Sequence, residues 1–222
     1  MIRVFIGYDA KEAIAFSVLC HSIHHRSSEP VSITPLLLPQ LACVFERPRD
    51  PLQSTDFAFT RFLVPSLSEF QGWSIYMDCD MLMLDDIARL WSLRDDRYPV
   101  MVVKHGSIVG ATTKWAGHTQ TAYDRKNWSS VMLFNNAKCH ALSSQYVRTA
   151  PGLDLHQFRW LADDAVVGEL PQQWNYLVGV SDSTSGVSLV HFTLGGPYYE
   201  ECAQCEFASE WRAERDAMLR AV

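Results

Sequence analysis

Asp78 and Asp80 stand where one apolar run, Ser74-Ile75-Tyr76-Met77, ends and another, Met81-Leu82-Met83-Leu84, begins. Side chains alternate along a strand, so the two acids share a face and Cys79 takes the other. Two carboxylates in such surroundings are costly unless something positive meets them. A divalent cation is the simplest partner. Hard oxygen ligands suit Mg²⁺ or Mn²⁺, and these ions leave positions open for substrate phosphates. An isolated Asp-x-Asp is more often a solvated turn. The hydrophobic flanks on both sides argue here for a metal–diphosphate site at the end of a buried strand.

Other residues carry chemistry that fits such a site. His191 follows the apolar run from Val187 to Val190 and precedes Gly195-Gly196. A lone histidine there is ordinarily structural, but a neutral imidazole would complete a two-oxygen ligand set suited to Mn²⁺. Arg61 is one cation inside an aromatic and aliphatic segment. Its fork would serve a diphosphate or a structural ion pair, and the sequence leaves both open. Tyr8 and Asp9 follow the first strand. Tyr8 either stacks on a base or packs, and Asp9 either bonds the base or caps a helix. Asp85-Asp86 reads as a helix start, not a site. Cys202-x-x-Cys205 has half the ligands of a structural zinc site, and no second pair completes it.

The elements that must position these residues follow in chain order. Ile2–Ile6 is a buried first strand. Asp9 and Glu12 fit a capping box that opens a helix to about Arg26, with Ile14, Val18, Leu19 and Ile23 on its apolar side. Val31–Leu38 is a strand near an edge or a bend, because Pro35 interrupts it. Ser54 or Thr55 caps a helix through residues 56–64 that Pro65 ends. Asp85-Asp86 opens a helix from Ile87 to Leu93, and Val100–Val103 is another strand. Residues 104–127 form a long polar loop, in which Trp115 and Tyr123 read as anchors before sugar platforms. Trp128–Asn135 is a strand, followed by a helix from about Lys138 to Thr149. Asp163-Asp164 opens a short helix over Ala165–Gly168. Val187–Phe192 is a last strand, and Ser209 caps a terminal helix. Strand, tight turn and helix open a nucleotide-binding α/β domain, whose ligands sit beyond the carboxyl ends of strands. The dinucleotide glycine fingerprint is absent.

The chain has 222 residues, of which 48% are hydrophobic and 20% charged, as expected for one globular domain spanning 1–222. A net charge of −6, without a Lys/Arg run, argues against a nucleic-acid partner. The first apolar segment is too short for a membrane span or a signal sequence, so a cytoplasmic protein without an integral membrane segment is expected. Six scattered cysteines then read as free thiols.

Taken together, several motifs resemble those of the GT-A-fold glycosyltransferases of family 8, the group of glycogenin and the bacterial lipopolysaccharide galactosyl- and glucosyltransferases. They are Phe5-Ile6-Gly7-Tyr8-Asp9, Thr60-Arg61-Phe62-Leu63-Val64-Pro65 and Tyr76-Met77-Asp78-Cys79-Asp80. Ser130-Val131-Met132-Leu133-Phe134-Asn135, Leu170-Pro171-x-x-Trp174-Asn175 and His191-Phe192-x-x-Gly195 follow in the same order. The resemblance implies a Rossmann-like mixed sheet flanked by helices. It implies retaining transfer of a hexose from a nucleotide sugar, commonly UDP-linked, with Mn²⁺ or Mg²⁺ on the diphosphate. The acceptor is a saccharide, a lipid-linked sugar or a protein.

By position, the resemblance assigns Asp78, Asp80 and His191 to the metal and Tyr8 and Asp9 to the base. It assigns Arg61 to the donor phosphates and sugar, and places Ser130 and Gly195 in motifs that line the nucleotide-sugar site. Asp163 falls where the family keeps a polar group near the donor sugar. Asp163 and Asp164 are the evident carboxylates if retention uses a nucleophile. Three features depart from the family. Trp128 replaces its Asn, with Asn127 one position earlier. Gly196-Pro197-Tyr198-Tyr199 stands where a phosphate-binding Lys is usual, leaving Arg61 or Lys104 for that task. The basic, aromatic C-terminal tail is missing. The alternatives are a sugar nucleotidyltransferase or a catalytically inactive nucleotide-sugar-binding protein.

Overall fold

The computed structural model describes residues 1–49, 53, 55–106, 113–114, 118–119 and 128–220. The expected aromatic loop residues Trp115 and Tyr123 lie outside that set. The chain is a mixed α/β structure, as its alternation of apolar runs and amphipathic segments predicts. The strands are β1 (Ile2–Gly7), β2 (Val31–Leu36), β3 (Trp73–Met77), β4 (Met81–Met83), β5 (Val100–Val102), β6 (Thr113–Lys114), β7 (His118–Thr119), β8 (Val131–Asn135), β9 (Val167–Glu169), β10 (Tyr176–Leu177) and β11 (Leu189–His191). The helices are α1 (Ala13–Arg26), α2 (Val64–Leu67), α3 (Ile87–Ser92), α4 (Ser144–Thr149), α5 (Gly152–His156) and α6 (Ala208–Arg220).

Six strands form the main sheet, in the order β2-β1-β3-β8-β5-β9. β8 runs antiparallel to both of its neighbours, β3 and β5, while the other pairs are parallel. The carboxyl ends of five strands and the start of β8 therefore meet along one rim. Strands β1, β3, β5 and β8 are buried on both faces, which is why they read as continuous apolar runs, whereas the edge strand β2 is only partly covered. Ile2, Val4, Ile6, Ile75 and Met77 point to one side, with Leu19 and Ile23 of α1. Phe5, Tyr76 and Met132 point to the other, with Phe59, Phe62, Val147 and Leu155.

A second sheet, β10-β11-β4, extends from that rim. β4 begins one residue after Asp80, and its antiparallel register with β11 sets Met81 opposite His191. Phe192 N–H donates to the Asp80 carbonyl at 2.9 Å, which continues the ladder past the strand end. This pairing brings a histidine from the last third of the chain beside the Asp-x-Asp. A separate ribbon pairs β6 with β7.

Several local expectations give way to tertiary packing. Residues 56–63 form turns and a single-turn 3₁₀ segment, Thr60–Leu63, in place of a helix over residues 56–64 ending at Pro65, and Val64 opens α2. Pro65 instead sits in the first turn of α2, where its missing N–H has no intrahelical partner to lose. The helix expected from Lys138 begins only at Ser144, capped by the Ser143 hydroxyl. Asp164–Val166 is a 3₁₀ turn, and Val167–Glu169 then pairs with β5 as an edge strand. Pro35 is tolerated because β2 is the other edge of the sheet. Ile14, placed on the apolar side of the first helix, is 38% exposed. Asp86 caps α3 as read, accepting from Ala88 N–H at 2.9 Å.

α6 is fastened to α1 by Trp211, 1% exposed, and by Glu214. One Glu214 oxygen meets Arg26 Nη2 at 2.6 Å and the other meets His21 Nδ1 at 2.5 Å. Burial pushes the Glu214 carboxyl up, but the bonds from Arg26 and His21 outweigh it and hold the group below its ordinary value. Glu214 therefore stabilises the fold above the unfolded-state carboxylate pKa and loses that contribution as pH falls through its own lower one. Glu214→Gln is expected to lower stability at neutral pH by about 1–3 kcal/mol, with a smaller penalty as pH falls below 4. Denaturant midpoints of both proteins at matched pH values check this.

Candidate metal centre

Asp78 and Asp80 lie just past the end of β3, and His191 ends β11. One donor atom from each of the three falls within 4.8 Å of the others. His191 Nε2 is 3.3 Å from Asp80 Oδ1. Cys79 points away, and its thiol donates to Glu12 Oε2 at 3.4 Å. The opposed orientation read from strand alternation thus persists past the strand end.

Asp78 is held from behind. The Tyr76 hydroxyl donates to its Oδ1 at 2.6 Å, and Arg61 Nη1 approaches that oxygen at 3.1 Å and Oδ2 at 3.3 Å. Arg61 Nη1 also donates to the Ser129 carbonyl at 2.8 Å. Its guanidinium lies 5.5 Å from the Phe57 ring centre and 5.2 Å from that of Tyr76. Of the two roles read for Arg61, the ion pair is therefore present. Its Nε is buried and has no hydrogen-bond acceptor among the described residues. Tyr76 was missed in the sequence, although alternation places it on the same face as Asp78.

Glu12 was also missed. It follows Asp9 by the spacing of a capping box, yet its carboxyl turns away from the helix start. It accepts from Tyr198 at 3.2 Å and Tyr199 at 3.4 Å as well as from Cys79. Burial, then the nearby Asp80 charge, pushes the Glu12 carboxyl up to about 7. Burial likewise holds Asp78 above the usual carboxylate range despite Arg61 beside it. Three acids thus crowd a site that holds one guanidinium. The surplus of negative charge and the mixed oxygen–nitrogen donor set both fit a divalent cation of the Mn²⁺ or Mg²⁺ kind. Asp78, Asp80 and His191 are the residues that would hold it.

The remaining expected site residues are distributed as follows. Tyr8 packs edge-on against Phe16 at 5.3 Å. Asp9 is buried, and its carboxylate accepts from Lys11 N–H at 3.0 Å and Asp56 N–H at 3.2 Å. It thereby ties the β1 turn to the segment that carries Arg61. The Ser130 hydroxyl accepts from Asn175 Nδ2 at 2.8 Å, and its carbonyl accepts from Asp78 N–H at 3.1 Å. Gly195, with a φ of 124°, turns the chain after His191. Asp163 and Asp164 are exposed, and Asp163 accepts from Ala165 N–H at 2.9 Å. Cys202 and Cys205 are free thiols, and the Asp78–Asp80–His191 group is the one metal-ligand cluster found among the described residues.

The raised Glu12 carboxyl gives a signed expectation. Folded Glu12 keeps its proton to about pH 7, while the unfolded chain releases it near 4.5. Its contribution is full below 4.5 and is lost as pH rises toward 7. In EDTA, Glu12→Gln should become progressively more stable than wild type across that window, by about 2 kcal/mol at its upper end once partial exposure is allowed for. Thermal melts of both proteins at pH 4.5 and 7.5 check it.

No family model matches the sequence. Among solved structures, the galactosyltransferase LgtC, in complex with donor and acceptor sugar analogues, superposes with a TM-score of 0.66 at 13% identity. That match covers 97% of this chain and 96% of the other. The bifunctional glycosyltransferase WbbM gives 0.67 at 14% identity, and this chain spans 49% of its length. The glycosyltransferase GlyE of Streptococcus pneumoniae gives 0.65 at 12% identity, covering 100% of this chain and 63% of the other. At these identities the likeness fixes the fold, which is GT-A. Protein CDI of Arabidopsis thaliana is 44% identical over 223 residues, covering 96% of this chain and 86% of its own. The chain thus belongs to the family of Protein CDI, built on a GT-A fold.

Proposed function

We propose that this protein is a metal-dependent glycosyltransferase of the family 8 type, acting as one GT-A unit over residues 1–222. It moves a hexose from a nucleotide sugar, UDP-linked in this reading, to a saccharide, lipid-linked or protein acceptor with retention of configuration. The observation that carries the reading is the Asp78–Asp80–His191 cluster at the carboxyl rim of a GT-A sheet, with Asp78 and His191 buried and Asp80 partly so. Glycosyl transfer is the activity named for the structural neighbours. No helix among the described residues is long and apolar enough to cross a membrane, and we take the site of action to be the cytoplasm.

When bound, a divalent ion supplies Lewis-acid stabilisation to the departing diphosphate. The chain's own residues do the rest. Asp78 and Asp80 would supply carboxylate oxygens to that ion and His191 a ring nitrogen. Arg61 keeps Asp78 in place and its Nε–H is assigned to a phosphate oxygen, where preorganised charge counts most. This role suits a site that lacks the family's lysine. Tyr8 and Asp9 are assigned to the base, although both also do local structural work. Ser130 and Gly195 shape the floor and the turn beside the donor. Asp163 and Asp164 are the carboxylates assigned to the reacting sugar.

Incubation with a panel of labelled nucleotide sugars and Mn²⁺, scoring transfer and hydrolysis separately, tests the assignment. Turnover of a UDP-hexose supports it. Release of a nucleoside triphosphate in the reverse reaction with pyrophosphate would instead indicate a nucleotidyltransferase. Binding without turnover would indicate an inactive nucleotide-sugar-binding protein. Asp80→Asn is expected to abolish metal-dependent donor hydrolysis while leaving the thermal melt close to wild type. Arg61→Ala is expected to weaken UDP binding about tenfold to a hundredfold, from the loss of a charge-assisted bond, and uridine binding much less. Calorimetry with both ligands separates these, and equal losses would place Arg61's effect in folding or at the base.

A further inference from the structure

We propose that Asn175 is the positioning residue that fixes which ring nitrogen His191 presents to the ion. This rests on the metal-dependent reading above. Asn175 closes the 3₁₀ turn Gln172–Asn175 and leads into β10, whose parallel partner is β11. Leu170 and Trp174 of the same segment are 1% and 2% exposed and anchor it in the core. Asn175 itself is fully buried, as a polar side chain must be well bonded to be. His191 Nδ1 lies 3.0 Å from its Oδ1, and its Nδ2 donates to the Ser130 hydroxyl at 2.8 Å.

The three groups form a directed chain. Nε2 of His191 is the nitrogen that faces Asp80, so it is the one that must offer a lone pair to a cation. Nδ1 then carries the ring proton and needs an acceptor. The Asn175 carbonyl oxygen supplies it, while the amide nitrogen at its other end donates to the Ser130 hydroxyl. Ser130 also receives Asp78 N–H on its carbonyl. One residue just before β8 thus supports an oxygen ligand through its backbone and the nitrogen ligand through its side chain and Asn175. Outer groups of this kind fix tautomer and ring orientation, and their loss typically costs tenfold to a hundredfold in metal affinity.

The test uses Mn²⁺ titration by electron paramagnetic resonance on wild type, Asn175→Leu and Asn175→Asp. Leucine is close to asparagine in volume and has no acceptor, whereas aspartate keeps an acceptor for Nδ1. Asn175→Leu should bind Mn²⁺ about tenfold to a hundredfold more weakly, and Asn175→Asp should restore most of the affinity. Equal affinity in wild type and Asn175→Leu overturns the proposal alone, as does equal loss in both variants. A second measurement needs no variant. Long-range proton–nitrogen correlation spectra of the cadmium-loaded wild-type protein should show His191 with its proton on Nδ1 and the metal on Nε2. The reverse assignment overturns the proposal. Wild-type protein that binds neither ion overturns the metal reading beneath it, and the proposal with it.

Discussion

The structure turns on how buried acid is tolerated at the end of β3. Asp78 is 8% exposed and within hydrogen-bonding reach of one phenol and one guanidinium. A lone carboxylate there would shed its charge by taking up a proton. Arg61 offsets part of that cost, and Tyr76 directs one oxygen. Asp80 then adds a second carboxylate beside the one guanidinium, and burial with the Asp80 charge pushes Glu12 up to about 7. A cation is the partner that would relieve all three acids together. Its ligands would come from the end of β3 in one sheet and from β11 in the other.

That arrangement explains why distant segments depend on one another. Arg61 reaches Asp78 because the 3₁₀ turn that carries it is buried against the sheet, and its segment is tied to β1 through Asp9 and Asp56. His191 reaches Asp80 because β11 pairs with β4 in one register. A slip of one residue would turn His191 to the opposite face. Asn175 and Ser130 reinforce the register from a third direction. Gly7 has a related constraint. A Cβ there would lie 2.5 Å from the Phe57 ring and 2.7 Å from the Tyr76 hydroxyl, the group that orients Asp78.

Much of this was legible in the sequence where a residue's own pattern carried the signal. The buried strands showed as apolar runs, and Asp78 and Asp80 announced themselves as acids between two such runs. His191 stood at a strand end. Glu12 misled because its spacing from Asp9 matches a capping box, and nothing local records that Tyr198 and Tyr199 approach from the far end of the chain. The segment containing Arg61 looked helical because its apolar residues face a tertiary surface and not one helix stripe. Val167–Glu169 became a strand only because β5 offers a parallel partner. Tyr76 was readable from alternation but was hidden among apolar residues. Asn175 showed as part of a motif without showing its task, which depends on a histidine 16 residues later.

The central claim is that Asp78, Asp80 and His191 together hold a divalent ion that binds a nucleotide diphosphate. Its most direct test is a crystal structure of the protein with Mn²⁺ and UDP, with anomalous difference density recorded at the manganese edge. The account requires a single strong peak bonded to oxygens of Asp78 and Asp80, to His191 Nε2 and to the diphosphate. Bound UDP with no anomalous peak among these three residues, or with a peak held by other side chains, would contradict it.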